Sequence, residues 1–121
     1  MIQEQYVSFE TAKVLKEKGF DEWCQMGYNG EGKLLPFINM ENSRLLPEYP
    51  CKASAPTQSL VMRWLREVHN IDVTPMFYEV RQCYVYRISV NGKFNKDDID
   101  GFISYEEACE SAIKYCLERL I

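Results

Sequence analysis

The strongest constraint on the fold is Asn91-Gly92, which directly follows the run CYVYRISV. In this run β-branched and aromatic residues alternate with a period of two, which is typical of a β-strand. An Asn-Gly pair tolerates positive φ at both central positions of a type I′ turn, so it returns the chain as an antiparallel strand. We therefore predict a hairpin with a short strand at Lys93-Phe94, preceded by another strand in VTPMFYEV.

Three segments have the apolar period of an amphipathic helix. The first covers 9–18, after Ser8 as the N-cap residue. The second opens at Pro56, and its last turn contains His69, whose partly positive ring suits the C-terminal end of a helix. The third opens with the capping box SYEE at 104–107, in which Ser104 is the N-cap and Glu107 stands at N3.

The first β-rich region surrounds Asn29-Gly30-Glu31-Gly32, and these residue types predict a hairpin turn. Pro36 lacks a backbone donor, so we expect the second strand of this hairpin to lie at a sheet edge. Residues 40–55 have no clear period and contain two prolines, which predicts a long loop. This loop is either a connector packed by Leu45 and Leu46 or a functional segment.

The resulting order is helix, hairpin, helix, hairpin, helix (αββαββα). We predict a single α+β domain over residues 1–121, with an antiparallel sheet and the helices packed on one of its faces. The length is that of one domain, and the apolar fraction of 46% is typical of a globular chain.

The stretch KDDIDGFISYEE at 96–107 resembles the ligand spacing of an EF-hand calcium loop. Aligning Gly101 with the glycine at position 6 places oxygen donors at positions 3, 5, 7, 9 and 12. The resulting candidate calcium ligands are Asp98, Asp100, the carbonyl of Phe102, Ser104 and Glu107. Position 1 is Lys96, whose ammonium group would repel the ion, and a strand precedes the loop where an EF-hand has a helix.

The same residues also have a purely structural interpretation. Ser104 and Glu107 cap the third helix, Gly101 turns the chain, and the aspartates solvate a loop. The two interpretations are a weak calcium site and a capped helix after an acidic loop.

Cysteine content and charge narrow the functional classes. The five cysteines are odd in number and contain no CxxC pair, which favours buried free thiols over disulfides or a zinc site.

The net charge is −4, and residues 95–110 alone carry six acids and one lysine, a local net charge of −5. This acidity disfavours nucleic-acid binding. We expect no signal peptide, because the N-terminus lacks a basic start and an apolar stretch. We also expect no membrane span, because no apolar run approaches 18 residues.

Three segments resemble a group of short proteins encoded by phages, prophages and mobile elements of gut bacteria. They are YVSFETAKVLKEKGFDEWC, APTQSLVMRWLREVHNI and SYEEACESAIKYCLERLI, which together span most of the chain outside 40–55 and 95–101. The resemblance implies expression in the cytoplasm of a bacterial host from mobile DNA, and no catalytic or binding residue carries over from it.

We therefore expect a small, non-enzymatic interaction protein whose partner is a host or phage protein, with no catalytic and no cofactor-binding residues. The sequence contains one histidine, no glycine-rich phosphate loop and no nucleophile with a neighbouring base. One alternative is a nucleic-acid-binding accessory protein, in which Tyr84 and Tyr86 stack on bases and Arg87 meets phosphate. Against that alternative, both tyrosines would pack beneath helices. The other alternative is the calcium-binding module.

Overall fold

The computed structural model describes the backbone of residues 2–39, 44–45 and 49–121. Within these residues, three helices and two antiparallel sheets confirm the predicted α+β class. Inside the predicted domain 1–121 the chain forms two compact units, residues 1–57 and residues 58–121.

The described part of the first unit contains one helix and five short strands. Helix α1 begins after Ser8, whose side chain accepts a hydrogen bond from the Thr11 N–H at 3.2 Å, as predicted for an N-cap residue. The sheet order is β4-β3-β2-β1-β5, and all neighbours are antiparallel. The bounds are α1 Phe9–Glu17, β1 Met26–Tyr28, β2 Leu34–Asn39, β3 Arg44–Leu45, β4 Tyr49–Pro50 and β5 Ala53–Ser54.

The turn between β1 and β2 confirms the first predicted hairpin. The buried Asn29 side chain accepts hydrogen bonds from the backbone N–H groups of Glu31, at 2.9 Å, and Lys33, at 3.0 Å. Gly32 has a φ of +79°, and a Cβ at this position would lie 2.9 Å from Cδ2 of Phe9. Glycine is therefore required here both for its backbone conformation and for the close approach of an aromatic ring.

Two predictions in the first unit are wrong. Strand β2, which contains Pro36, lies between β1 and β3 instead of at an edge. Pro36 is accommodated because the described pairing with β3 begins one residue later, at Phe37. The predicted loop 40–55 contains β3, β4 and β5, and residues 40–43 and 46–48 of it lie outside the described residues. The packing proposed for Leu45 and Leu46 also lies outside the described side chains.

The second unit has the order α2, β6, β7, β8, α3, and its sheet order is β6-β7-β8. The predicted Asn-Gly turn joins β7 to β8, with a φ of +53° at Asn91 and +78° at Gly92. A short 3-10 helix at Glu79–Arg81 joins β6 to β7. The bounds are α2 Gln58–His69, β6 Ile71–Tyr78, β7 Cys83–Val90, β8 Lys93–Phe102 and α3 Tyr105–Arg119.

Strand β8 is much longer than the predicted two residues, because it continues through the charged stretch to Phe102. Tyr86 faces Asp98 and Tyr84 faces Phe102, so β8 holds extra residues between these two pairs. Extra residues in one strand change which side chains face the core, so the regular alternation of apolar residues that predicts a strand is interrupted. Gly101 lies in this irregular part with a φ of +104°, and the predicted loop there is a strand.

The core of the second unit forms where its helices cover one face of the sheet. Ile88 and Tyr86 of β7 are buried on this face, beside Ile71 of β6. Helix α3 contacts all three strands, and α2 contacts both β6 and α3. The buried residues of the helices are Val61, Trp64 and Leu65 in α2, and Ala108, Cys109, Ala112, Ile113, Cys116 and Leu117 in α3.

A buried amide joins the starts of the two helices. The Gln58 side-chain Nε2 donates to the Glu106 carbonyl at 3.0 Å and to Oε1 of Glu110 at 3.1 Å. Gln58 is one of the few buried polar residues of the described chain. Because both acceptors belong to the first turns of α3, this amide fixes where that helix begins relative to α2.

Candidate functional site

The candidate calcium ligands lie on a strand and at the start of a helix. Asp98 and Phe102 belong to β8, and the register of this strand with β7 is irregular between them. Ser104 is the N-cap of α3 and Glu107 belongs to its first turn. The side chain of Asp100 lies outside the described part of the chain. An EF-hand loop instead wraps its donors around one point.

Ser104 and Glu107 cap α3. The Glu107 N–H donates to the Ser104 hydroxyl oxygen at 3.1 Å, as predicted. The Glu107 carboxylate accepts from the N–H of Ile103 at 3.2 Å, one residue earlier than the N-cap position that a capping box uses. Among the described residues, no three His, Cys, Asp or Glu side chains form a metal-binding group. The calcium site remains a prediction.

The residues of the nucleic-acid hypothesis are divided between the two faces of the sheet. Tyr86 is only 2% exposed, and its ring stacks on Phe102 with centroids 5.9 Å apart. Burial raises the pKa of the Tyr86 phenol, whose side chain is hydrogen-bonded to Ser111 of α3. Arg87 lies on the opposite face, with a guanidinium nitrogen 3.8 Å from Oδ2 of Asp97. Tyr86 is therefore packed beneath α3 and presents no free ring to a base.

His69 packs as an aromatic residue at the end of α2. Its ring meets Trp64 edge to face, with centroids 4.6 Å apart. Its Nε2 is buried and, within the described chain, has no hydrogen-bond partner. The predicted position in the last turn is confirmed, and the ring contact with Trp64 shows what holds the side chain there.

A group of apolar side chains is exposed at one end of the second unit's sheet. Phe77 near the end of β6 is 51% exposed, and Val80 in the following turn is 81% exposed. Ile103, just after β8, is 88% exposed, and Tyr105 at the start of α3 is 41% exposed. These four residues form the end patch. Scattered apolar side chains are normal on a protein surface, but four at one end of a small unit make that end a candidate functional site.

Aromatic contacts fix the base of the end patch. Phe77, Tyr84 and Phe102 face one another across β6, β7 and β8. Tyr84 meets Phe77 at 5.2 Å and Tyr105 at 6.2 Å, both edge to face, and is itself half-buried. Tyr105 is also hydrogen-bonded through its side chain to Cys109, and burial raises its pKa. These contacts hold the rings in place within the second unit.

Acidic side chains flank the end patch. Glu79 shares a short turn with Val80, and Glu106 and Glu107 follow Tyr105 directly. All three glutamates are exposed. Arg81, in the same turn as Val80, supplies a positive charge at this end. The end patch therefore has an apolar centre and a mainly negative border.

Sequence reasoning missed the end patch because its members come from different elements. Phe77 and Tyr105 belong to a strand and a helix, and each fits the apolar pattern of a core residue. Val80 and Ile103 stand in connections, where single apolar residues carry little weight. The available signal was a pair of apolar residues in short connections next to aromatic strand ends.

No protein-family model, no curated protein and no solved structure matches the chain. Within the described residues, no helix combines the length and the apolar character needed to cross a membrane.

Proposed function

We propose that the chain is a small, non-enzymatic interaction protein that binds a basic, apolar segment of another protein through the end patch. The observation that carries this proposal is the exposure of four large apolar side chains over a fixed layer of aromatic rings. In the setting implied by the sequence resemblance, the partner is a host or phage protein.

The chemistry of the end patch determines which segment it suits. Phe77, Val80, Ile103 and Tyr105 offer aromatic and aliphatic contact area, so the partner contributes apolar anchors. Glu79, Glu106 and Glu107 favour lysine or arginine around those anchors. A basic amphipathic segment satisfies both requirements.

The same charges disfavour two other occupants. In a symmetric dimer built on this surface, each end patch would face its own copy, and the glutamates would oppose one another. Nucleic-acid phosphates would meet the same negative border. A basic protein segment is the occupant that the charge distribution favours.

Selection from a library of random linear peptides displayed on yeast tests this proposal. The whole chain is the bait, and the double variant Val80→Ser with Ile103→Ser is the counter-bait. Both positions are highly exposed, so the variant is expected to fold normally. Peptides retained by the native chain and lost with the variant should carry a positive net charge and at least two apolar anchors.

Binding of a selected peptide to the variant should be weaker by about tenfold or more, measured by fluorescence anisotropy. Val68→Ser is the matched control, because this exposed valine of α2 lies outside the end patch. The affinity of this variant for the peptide should equal that of the native chain. Equal recovery with bait and counter-bait would overturn the proposal. Enrichment of acidic peptides, self-association of the chain through these residues, or tighter binding of a labelled single-stranded oligonucleotide than of any peptide would also overturn it.

A further inference from the structure

The first unit contains a cleft of about 260 Å³ between α1 and the segment that leads into β5. Its buried base is apolar and consists of Ala12, Phe20 and Ala53. Lys16 and Lys52 are exposed at its rim. The cleft is smaller than the roughly 300–1,000 Å³ of pockets that take drug-sized ligands, so it suits a small molecule.

The rim of the cleft is arranged to favour negative charge. The Lys16 ammonium donates to the Lys52 carbonyl at 3.1 Å, which places its charge over the segment that carries Cys51. The pKa of the half-buried Cys51 thiol depends on burial and on the polar groups around it. Burial raises its pKa, while the Lys16 ammonium and a hydrogen bond from the Ala53 backbone act in the opposite direction. The net pKa shift of Cys51 is upward because burial outweighs both effects, so the anion preference of the cleft rests on the two rim lysines, Lys16 and Lys52.

We propose that this cleft binds a small organic carboxylate with a short apolar body. The carboxylate meets Lys16 and Lys52 at the rim, and the body of the ligand lies on Ala12, Phe20 and Ala53. Inorganic phosphate would use the two lysines but not the apolar base, so the proposal requires both parts of the cleft. This inference is independent of the end patch, because all its residues belong to the first unit.

Cys51 lines the cleft and therefore serves as a reporter. The native chain is alkylated with iodoacetate or with iodoacetamide, and the rate at each cysteine is measured by peptide mass spectrometry. In both reactions the thiolate sulfur bonds to carbon, iodide leaves, and the thiol proton passes to buffer. Cys83 of the second unit, which is also half-buried, is the internal control. The ratio of the iodoacetate rate to the iodoacetamide rate cancels differences in thiol reactivity.

We expect this ratio to be several-fold higher at Cys51 than at Cys83, because the two lysines attract the anionic reagent. Lys16→Gln and Lys52→Gln, both exposed positions, should lower the ratio at Cys51 without affecting Cys83. Circular dichroism confirms that the variants fold. Equal ratios at the two cysteines, or no change in either variant, would overturn the proposed anion preference.

Protection from alkylation tests the ligand class. Hexanoate should slow the reaction of Cys51 with iodoacetamide in a saturable way and leave Cys83 unaffected, and Lys16→Gln should weaken this protection. Hexylammonium tests the charge of the ligand, and acetate and inorganic phosphate test its apolar body. Protection by hexylammonium as strong as that by hexanoate contradicts the proposal. The same holds if phosphate or acetate protects as well as hexanoate, or if hexanoate gives no protection at all.

Discussion

Replacing the buried Gln58 by glutamate should destabilise the second unit strongly, although the two side chains have nearly the same shape. The native Nε2 donates to the Glu106 carbonyl and to the Glu110 carboxylate. A glutamate at 58 would present an oxygen to both acceptors. The lost hydrogen bond to the carbonyl is worth about 1 kcal/mol, and the one to the charged carboxylate about 1.5–3 kcal/mol. We expect a loss of about 3 kcal/mol in the free energy of unfolding at neutral pH, increased by repulsion from Glu110.

The loss should depend on pH with a defined sign. Two facing acceptors disfavour the charged form of the new carboxyl, so its pKa in the folded state lies above the value of about 4.3 in the unfolded chain. The unfolded state therefore binds fewer protons between these two pKa values, and the penalty grows as pH rises through them. Lowering the pH to about 4 should remove much of the difference from the native chain, because a neutral carboxyl donates one hydrogen bond.

Urea unfolding measures this effect. The chain has one tryptophan in each unit, Trp23 and Trp64, so a Trp23→Phe background makes the fluorescence specific to the second unit. Gln58→Met is the matched control, since it removes both hydrogen bonds but adds no charge and should show no extra pH dependence. A Gln58→Glu penalty below about 1 kcal/mol, or equal penalties for the two variants at both pH values, would refute the reasoning.

Three further predictions concern stability. Gly32→Ala should lower the free energy of unfolding by about 2 kcal/mol, because the φ of +79° and the Phe9 ring both oppose a Cβ. Gly30→Ala should change it much less, because no described atom beyond the chain neighbours lies within 4 Å of a Cβ there. Equal effects of the two substitutions in chemical unfolding would contradict this account. His69→Phe should raise the free energy of unfolding by about 1 kcal/mol, because phenylalanine keeps the edge contact with Trp64 and removes a buried nitrogen that has no partner among the described residues. A loss of stability in urea would show that this nitrogen has a role in the native state. Burial raises the pKa of Cys116 from 9.0 to about 12, so the folded state retains its thiol proton after the unfolded state has lost it. The free energy of unfolding should then fall as pH rises from about 9 towards 12, and it should fall less steeply in Cys116→Ala. If the free energy of unfolding of the two proteins falls in parallel with pH, Cys116 is excluded as a cause.

The features predicted correctly from the sequence are those that a few neighbouring residues determine. Ser8 and Ser104 cap their helices through hydrogen bonds three residues along the chain. Asn91-Gly92 makes a turn by its own backbone preferences. In each case the partner is close in sequence, so the residue types alone are sufficient.

The features that were missed depend on partners distant in sequence. Strand β8 continues through three aspartates because its backbone pairs with that of β7 along this length. The irregular register near Gly101 interrupts the alternation of apolar and polar residues by which a strand is recognised. The position of β2 inside its sheet depends on β3, which pairs with it only after Pro36. The end patch requires the ends of β6 and β8 to meet the start of α3. The length of β8 and the position of β2 leave no local signal, and the end patch leaves only the weak one of two apolar residues in short connections.

The continuous sequence of each unit has a consequence for synthesis. A ribosome makes the first sheet before it makes any part of the second. The described pairings of that sheet are complete once Ser54, the partner of Gly27, has left the exit tunnel. Residues 58–121 then emerge in the order in which β6, β7 and β8 pair. Each new strand therefore finds its neighbour already outside the ribosome, so vectorial synthesis and sheet assembly proceed in the same direction.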